Sequence, residues 1–202
     1  AQGFRAAGDD ARGVVSTSCS PKALGGLGGK FRNHSATPGS WDADGLRITY
    51  PRWPYYPWQV FRSLNGRFPQ GLLRLAWPWL RHGLKETMEI FRPELVFAHH
   101  TLVCGQVARL IHDQWEIPYV VTDHEVGDLL NGGSQPRIRA VFERVAEKSR
   151  AMVVVSHAMQ AAGRAHLPDI SFEVIHNGSS FPVNREQRPC EPGQELTIFS
   201  CA

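Results

Sequence analysis

The chain has 202 residues, 42% of them apolar, with 22 basic and 19 acidic side chains and a net charge of +3. That is apolar material enough for one sizeable core, and a charge too balanced to argue for a nucleic-acid partner. No uninterrupted apolar run is long enough to span a bilayer, and Cys19, Cys104, Cys190 and Cys201 lack the C-x-x-C spacing of a zinc site or a disulfide frame. The cysteines read as reduced thiols, and a cytoplasmic location is the expectation.

In chain order, Phe4 to Gly8 resembles the tail of a helix closed by glycine. Ala11 to Ser18 reads as a short strand centred on Val14 and Val15. Residues 20–45, rich in Gly, Ser and Pro, read as a long loop. Leu46 to Tyr50 alternates like a strand and runs into an aromatic loop, Pro51 to Trp58. Residues 69–91 read as helical, with an interruption at Trp77-Pro78-Trp79. From there strands and helices alternate: a strand over Glu94–Ala98, a helix over Val103–Trp115 and a strand over Tyr119–Thr122. A helix over Ser134–Arg150 follows, with Ser134 as its cap and Pro136 in its first turn. Next come a strand over Met152–Val155, a helix to about Leu167 and a strand over Phe172–Ile175. This alternation predicts an α/β fold, a Rossmann-like three-layer αβα arrangement with a mostly parallel sheet.

Several of these strands end in polar groups. His99 and His100 follow one, Asp123, His124 and Glu125 the next, Ser156 and His157 a third, and His176 and Asn177 the last. In open parallel sheets ligands bind outside the carboxyl ends of the strands. Taken singly, a strand-end histidine reads as solvated or as a cap. Five of the nine histidines on one edge weaken that bland reading. Ser156 also suits the N-cap of the next helix, Asn177-Gly178 is an ordinary turn signal, and Asp123 and Glu125 suit the loop that follows them.

The residues then carry a resemblance. Pro93-Glu-Leu-Val-Phe-Ala-His-His-Thr101, Gly105, Ala108 and Ile117-Pro-Tyr-Val-Val-Thr-Asp-His124 form one half of it. Ala151-Met-Val-Val-Val-Ser-His-Ala-Met159 and Val174-Ile-His-Asn-Gly178 form the other. In this order they resemble the N-terminal domain of a family 4 glycosyltransferase of the GT-B fold, over most of residues 1–180. Asp44-Gly-Leu-Arg-Ile-Thr-Tyr-Pro-Arg52 resembles the strand before that family's acceptor-side loop. The chain departs from the pattern at Phe97, where a first histidine usually stands, at Glu125, where Gly or Asp is common, and at His176, where Pro is usual. The first strand and its Gly-rich turn are missing from the pattern, and Gly25 to Gly29 comes too late to replace them.

The resemblance implies a retaining transfer of a sugar from a nucleotide-sugar donor to a glycan or lipid-linked acceptor, in cell-envelope or exopolysaccharide synthesis. It implies no cofactor and no metal, the nucleotide sugar being a co-substrate. It places His124 as the catalytic residue, binding a sugar hydroxyl and stabilising charge. His99, His100, Asp123, Glu125, Arg52, Ser156, Asn177 and Gly178 follow as substrate-binding residues. Residues 1–190 then form the acceptor-side domain, with its first strand missing, and 191–202 begin the nucleotide-sugar domain, so this stretch alone is expected to be inactive. The aromatic and basic stretch from Pro51 to His82 suits either packing or peripheral contact with the inner face of a membrane. No nucleic-acid partner is expected. Two rivals are a metal-dependent hydrolase using His99, His100, Asp123, His124 and His157, and a non-catalytic sugar-binding module.

Overall fold

A computed structural model describes residues 12–14, 40–43, 46–49 and 71–178. The readings on Phe4 to Gly8, on the aromatic loop with Arg52, and on the domain boundary near residue 190 lie outside the described residues. Seven strands and five α-helices are described: β1 (Gly13–Val14), β2 (Ser40–Ala43), β3 (Leu46–Thr49), α1 (Gly71–Glu86), β4 (Val96–His99), α2 (Gln106–Trp115), β5 (Tyr119–Asp123), α3 (Val126–Ser134), α4 (Pro136–Ala146), β6 (Ala151–Val154), α5 (His157–His166) and β7 (Phe172–Val174). Wide π-helical turns, Thr87–Phe91 and His100–Gly105, follow α1 and precede α2.

The strands form two sheets. In the smaller, β3 lies between β1, parallel to it, and β2, antiparallel to it. The larger is parallel throughout, in the order β4-β5-β6-β7. Its register sets Ala98 beside Val121, Val121 beside Met152, and Met152 beside Phe172. Strand side chains alternate between faces, so these four share one face with Tyr119 and Val154. On it they pack with Leu129 of α3, Ile138, Val141, Phe142 and Val145 of α4, and Met159 of α5. Each large apolar side chain buried here contributes about 1.5–3 kcal/mol. The Tyr119 hydroxyl crosses this core to donate to the Val145 carbonyl at 2.6 Å, and burial holds the phenol well above its usual pKa.

A second core joins α1 to α2. Leu73, Ala76, Leu80, Leu84 and Met88 recur at helical spacing and meet Val107 and Ile111 of α2. Ala108 of the same helix faces the sheet core, so α2 is the layer between α1 and the sheet. Trp77 meets Trp115 edge-on, 6.1 Å between centroids. The small sheet touches α1 and its terminal turn through Arg47–Glu86, 3.8 Å apart, and Arg12, 4.5 Å above the Phe91 ring.

Four expectations are corrected. Helix α1 runs unbroken through Pro78; the proline removes one backbone donor, but it is exposed, and Leu80 and Leu84, both fully buried, hold the next turns in place. The stretch after Glu125 is a helix, α3, rather than a loop. Ser134 ends α3 and does not cap α4: its hydroxyl donates back to the Leu130 and Asn131 carbonyls. The break falls at Gln135, extended at φ −118° and ψ 106°, because a residue before proline is sterically pushed out of the helical region. Ser40 to Ala43, read as part of a loop, is a strand paired with β3.

Candidate functional site at the carboxyl ends of the strands

The parallel register places His99 beside Thr122, so β4 and β5 end together. His99, His100, Asp123 and His124 converge there. His99 points to the face it shares with Phe97, whose ring meets its own edge-on at 5.0 Å. Its Nδ1 lies 3.1 Å from His124 Nε2, and the two rings stack at 5.3 Å. Burial first, then the neighbouring His124 and His100, lower the pKa of His99. These neighbours favour the uncharged form of His99, and which ring nitrogen of the contact donates is set by tautomer.

His100 brings its Nδ1 to 3.8 Å from Asp123 Oδ1. Its backbone is left-handed, φ 69°, a conformation that costs a non-glycine residue free energy and recurs at functional sites. Its ring stands 5.7 Å from that of His124. Thr101, next along and fully buried, anchors Asp123: its N–H and hydroxyl both donate to Asp123 Oδ2, at 3.3 and 2.5 Å. Asp123 Oδ1 has no hydrogen-bond partner among the described residues. Its nearest basic group is His100 Nδ1, at 3.8 Å. Burial raises the pKa of Asp123, against the two bonds from Thr101 and the nearby imidazoles.

Asp128, in the first turn of α3, completes the group. Burial, with Asp123 and Glu125 adding to it, pushes its pKa up to about 6. The sequence reading missed Asp128 because it lay in a stretch taken for loop. Read as a helix starting at Val126, that stretch would have turned its third residue back towards the edge. Thr101 has no role in the sequence pattern; its buried hydroxyl supplies one.

The remaining residues separate from this group. Glu125 occupies the N-cap position of α3, exposed and without a side-chain capping bond. Ser156 caps α5, its hydroxyl accepting from the Met159 N–H at 3.2 Å. His176 bonds the Val155 carbonyl at 3.1 Å and meets the His157 ring at 5.4 Å. Asn177 and Gly178 lie exposed beyond β7. Arg52 is outside the described residues.

The geometry can bind hydroxyl groups and stabilise charge, with imidazoles and an anchored carboxylate on one edge. Of the residues in the metal-hydrolase reading, His157 sits with His176, whereas His99, His100, Asp123 and His124 lie together at the β4–β5 end. Two solved structures share the fold. Both are sucrose-phosphate synthase of Thermosynechococcus elongatus: one is 14% identical, TM-score 0.57, over 89% of this chain and 82% of that one. The other is 16% identical, TM-score 0.59, over 87% of this chain and 40% of that one. No curated protein gives a significant sequence match. Residues 1–178 match the family described as the glycosyl transferase 4-like domain, nearly the extent over which the sequence motifs run. On that match, and with the parallel sheet and its polar edge in place, the chain belongs to the glycosyl transferase 4-like family.

Proposed function

We propose that this domain is the acceptor-side half of a retaining glycosyltransferase, moving a sugar from a nucleotide donor to a glycan or lipid-linked acceptor in envelope or exopolysaccharide synthesis. The observation that supports it most is the hydrogen-bonded pair of His124 and His99 at the edge where β4 and β5 end together. In such a transfer charge develops on the leaving diphosphate and on the sugar ring, and fixed donors aimed at those positions lower the barrier. His124 is the group we assign to the donor sugar. His99, whose pKa is lowered by partial burial and the neighbouring imidazoles, sets its tautomer and orientation. The transfer itself uses no metal in this reading, and it requires a nucleotide-sugar domain joined to this one; this domain alone is inactive.

Peripheral contact with an anionic membrane in the cytoplasm fits the outer face of α1. Leu75 and Trp79 are 70% and 51% exposed there, beside the exposed Arg74, Arg81 and Lys85. Apolar groups flanked by cations on one helix face suit the headgroup boundary. Among the described residues no helix is long and apolar enough to cross a membrane.

The test uses the protein that carries this domain, with nucleotide sugars as donors and membrane extract as acceptor source, sugar transfer being read by mass spectrometry. Transfer that His124→Ala abolishes while the fold persists supports the reading. Transfer equal in the two proteins overturns the role of His124, and no transfer from any nucleotide sugar overturns the activity.

A further inference from the structure

The end of β5 holds a buried carboxylate oxygen without a hydrogen-bond partner among the described residues. Asp123 is fixed through Oδ2 by Thr101. Oδ1 belongs to a side chain 1% exposed, and it has no hydrogen-bond partner among the described residues. A buried acceptor left unpaired is costly, more so if charged. At 3.8 Å, His100 Nδ1 is too far to relieve it by a hydrogen bond. Asp128 brings a second carboxylate to the same place, and one ligand atom from each of His100, Asp123 and Asp128 lies within 4.8 Å of the others. Two carboxylates this close repel when ionised. The imidazole and the two acids instead surround a point where a cation would satisfy all three.

We propose that His100, Asp123 and Asp128 bind one divalent first-row metal ion of the Mn2+ or Zn2+ class. The ligand set is one imidazole nitrogen and two carboxylate oxygens, which suits these ions better than Ca2+ or Mg2+. With metal–ligand bonds of about 2.0–2.2 Å, the three atoms need to close up by roughly an ångström. Both His100 and Asp128 are half-exposed and free to make that move, whereas Asp123 is held. Thr101 is the outer partner that orients the fixed ligand, as ligating carboxylates commonly require. At the left-handed His100 the ring stands 5.7 Å from that of His124 while its Nδ1 lies 3.8 Å from Asp123 Oδ1. A bound ion ties the first turn of α3 to the sheet edge and fixes the His100 ring beside His124. It enters no step of the transfer, so the inference stands apart from the proposed activity.

The test is titration of the purified protein with Mn2+, following the loss of the free-ion signal by electron paramagnetic resonance. The wild type is expected to bind one ion that Zn2+ displaces and Ca2+ does not. Asp128→Asn and His100→Gln are each expected to weaken that binding by about tenfold or more, with unchanged far-ultraviolet circular dichroism. His82→Gln, at an exposed histidine of α1, is expected to leave it unchanged. The two ligand substitutions are on partly exposed positions and independent of each other, so a folding failure in one leaves the other to decide. No bound Mn2+ in the wild type, or binding equal in wild type and both ligand variants, overturns the site. Neither result depends on transfer, so failure here leaves the glycosyltransferase reading standing.

Discussion

The two halves of the carboxyl edge look alike in sequence and differ in structure. Where β6 and β7 end, Ser156 and His176 are bonded to the local backbone. Ser156 accepts from Met159 N–H, His176 bonds the Val155 carbonyl, and His157 rests against His176. Where β4 and β5 end, the polar groups face one another. Two imidazoles share a hydrogen bond, a third sits on a left-handed backbone, and a buried carboxylate keeps one oxygen unpaired. A strand-end polar residue therefore says little about chemistry. What distinguishes the halves is whether each polar atom already has a partner from the local backbone.

That contrast can be broken most sharply at His124. In the protein carrying this domain, His124→Ala is expected to lower kcat of sugar transfer by roughly 10²-fold to 10³-fold, the scale of losing one fixed charge-stabilising donor. Melting temperature should stay close to that of the wild type, since His124 lies beyond the strand and only half-buried. Steady-state kinetics with thermal denaturation alongside checks both halves of the statement. A large fall in melting temperature with the fall in kcat would make His124 a structural residue like His176.

Next in size is a substitution on the other half. Gly163 of α5 lies so close to β7 that an added Cβ would sit 2.7 Å from Phe172 Cδ2. Gly163→Ala is expected to cost about 1–3 kcal/mol of stability through overpacking, read by chemical denaturation. Transfer measured well below the melting temperature should change little. The same close packing explains what the sequence could and could not reveal. The alternation of apolar runs located the four parallel strands and α2, α4 and α5, because strand burial and helix faces leave periodic marks. Helix α3 left none: Val-Gly-Asp-Leu-Leu-Asn-Gly-Gly-Ser has three glycines, each poor for helix formation. It folds because Leu129 is fully buried and Gly132 lets Leu167 and Phe142 approach to within 3.1–3.3 Å of a would-be Cβ. Tertiary contact overrode propensity, and no local pattern records that.

The site was legible to the same depth. Counting histidines placed His99, His100, Asp123 and His124 on one edge, since strand ends can be read from sequence. Separating them into a hydrogen-bonded imidazole pair and a carboxylate group needed the register and the turn at His100. Asp128 could not be placed without knowing that α3 is a helix.

Tyr119 tests how firmly the strand beneath the site is held. Tyr119→Phe keeps the ring and removes the bond to the Val145 carbonyl. It is expected to cost about 1–2 kcal/mol, seen as a shift in denaturation midpoint. Because Tyr119 begins β5 and Asp123 ends it, transfer should be unaffected.

The smallest effect is expected at Ser156, and it bears most directly on the contrast. Its hydroxyl accepts the Met159 N–H in the first turn of α5, which is the full duty of an N-cap. Ser156→Ala should therefore cost about 1 kcal/mol of stability. Ser156→Asp, which can accept the same N–H, should recover most of it. Neither should alter KM for donor or acceptor. If Ser156→Ala instead raises KM while the melting temperature holds, the hydroxyl serves substrate rather than the helix. The β6–β7 end would then belong to the same binding surface as His124, and hydrogen-bond satisfaction would cease to separate the two halves.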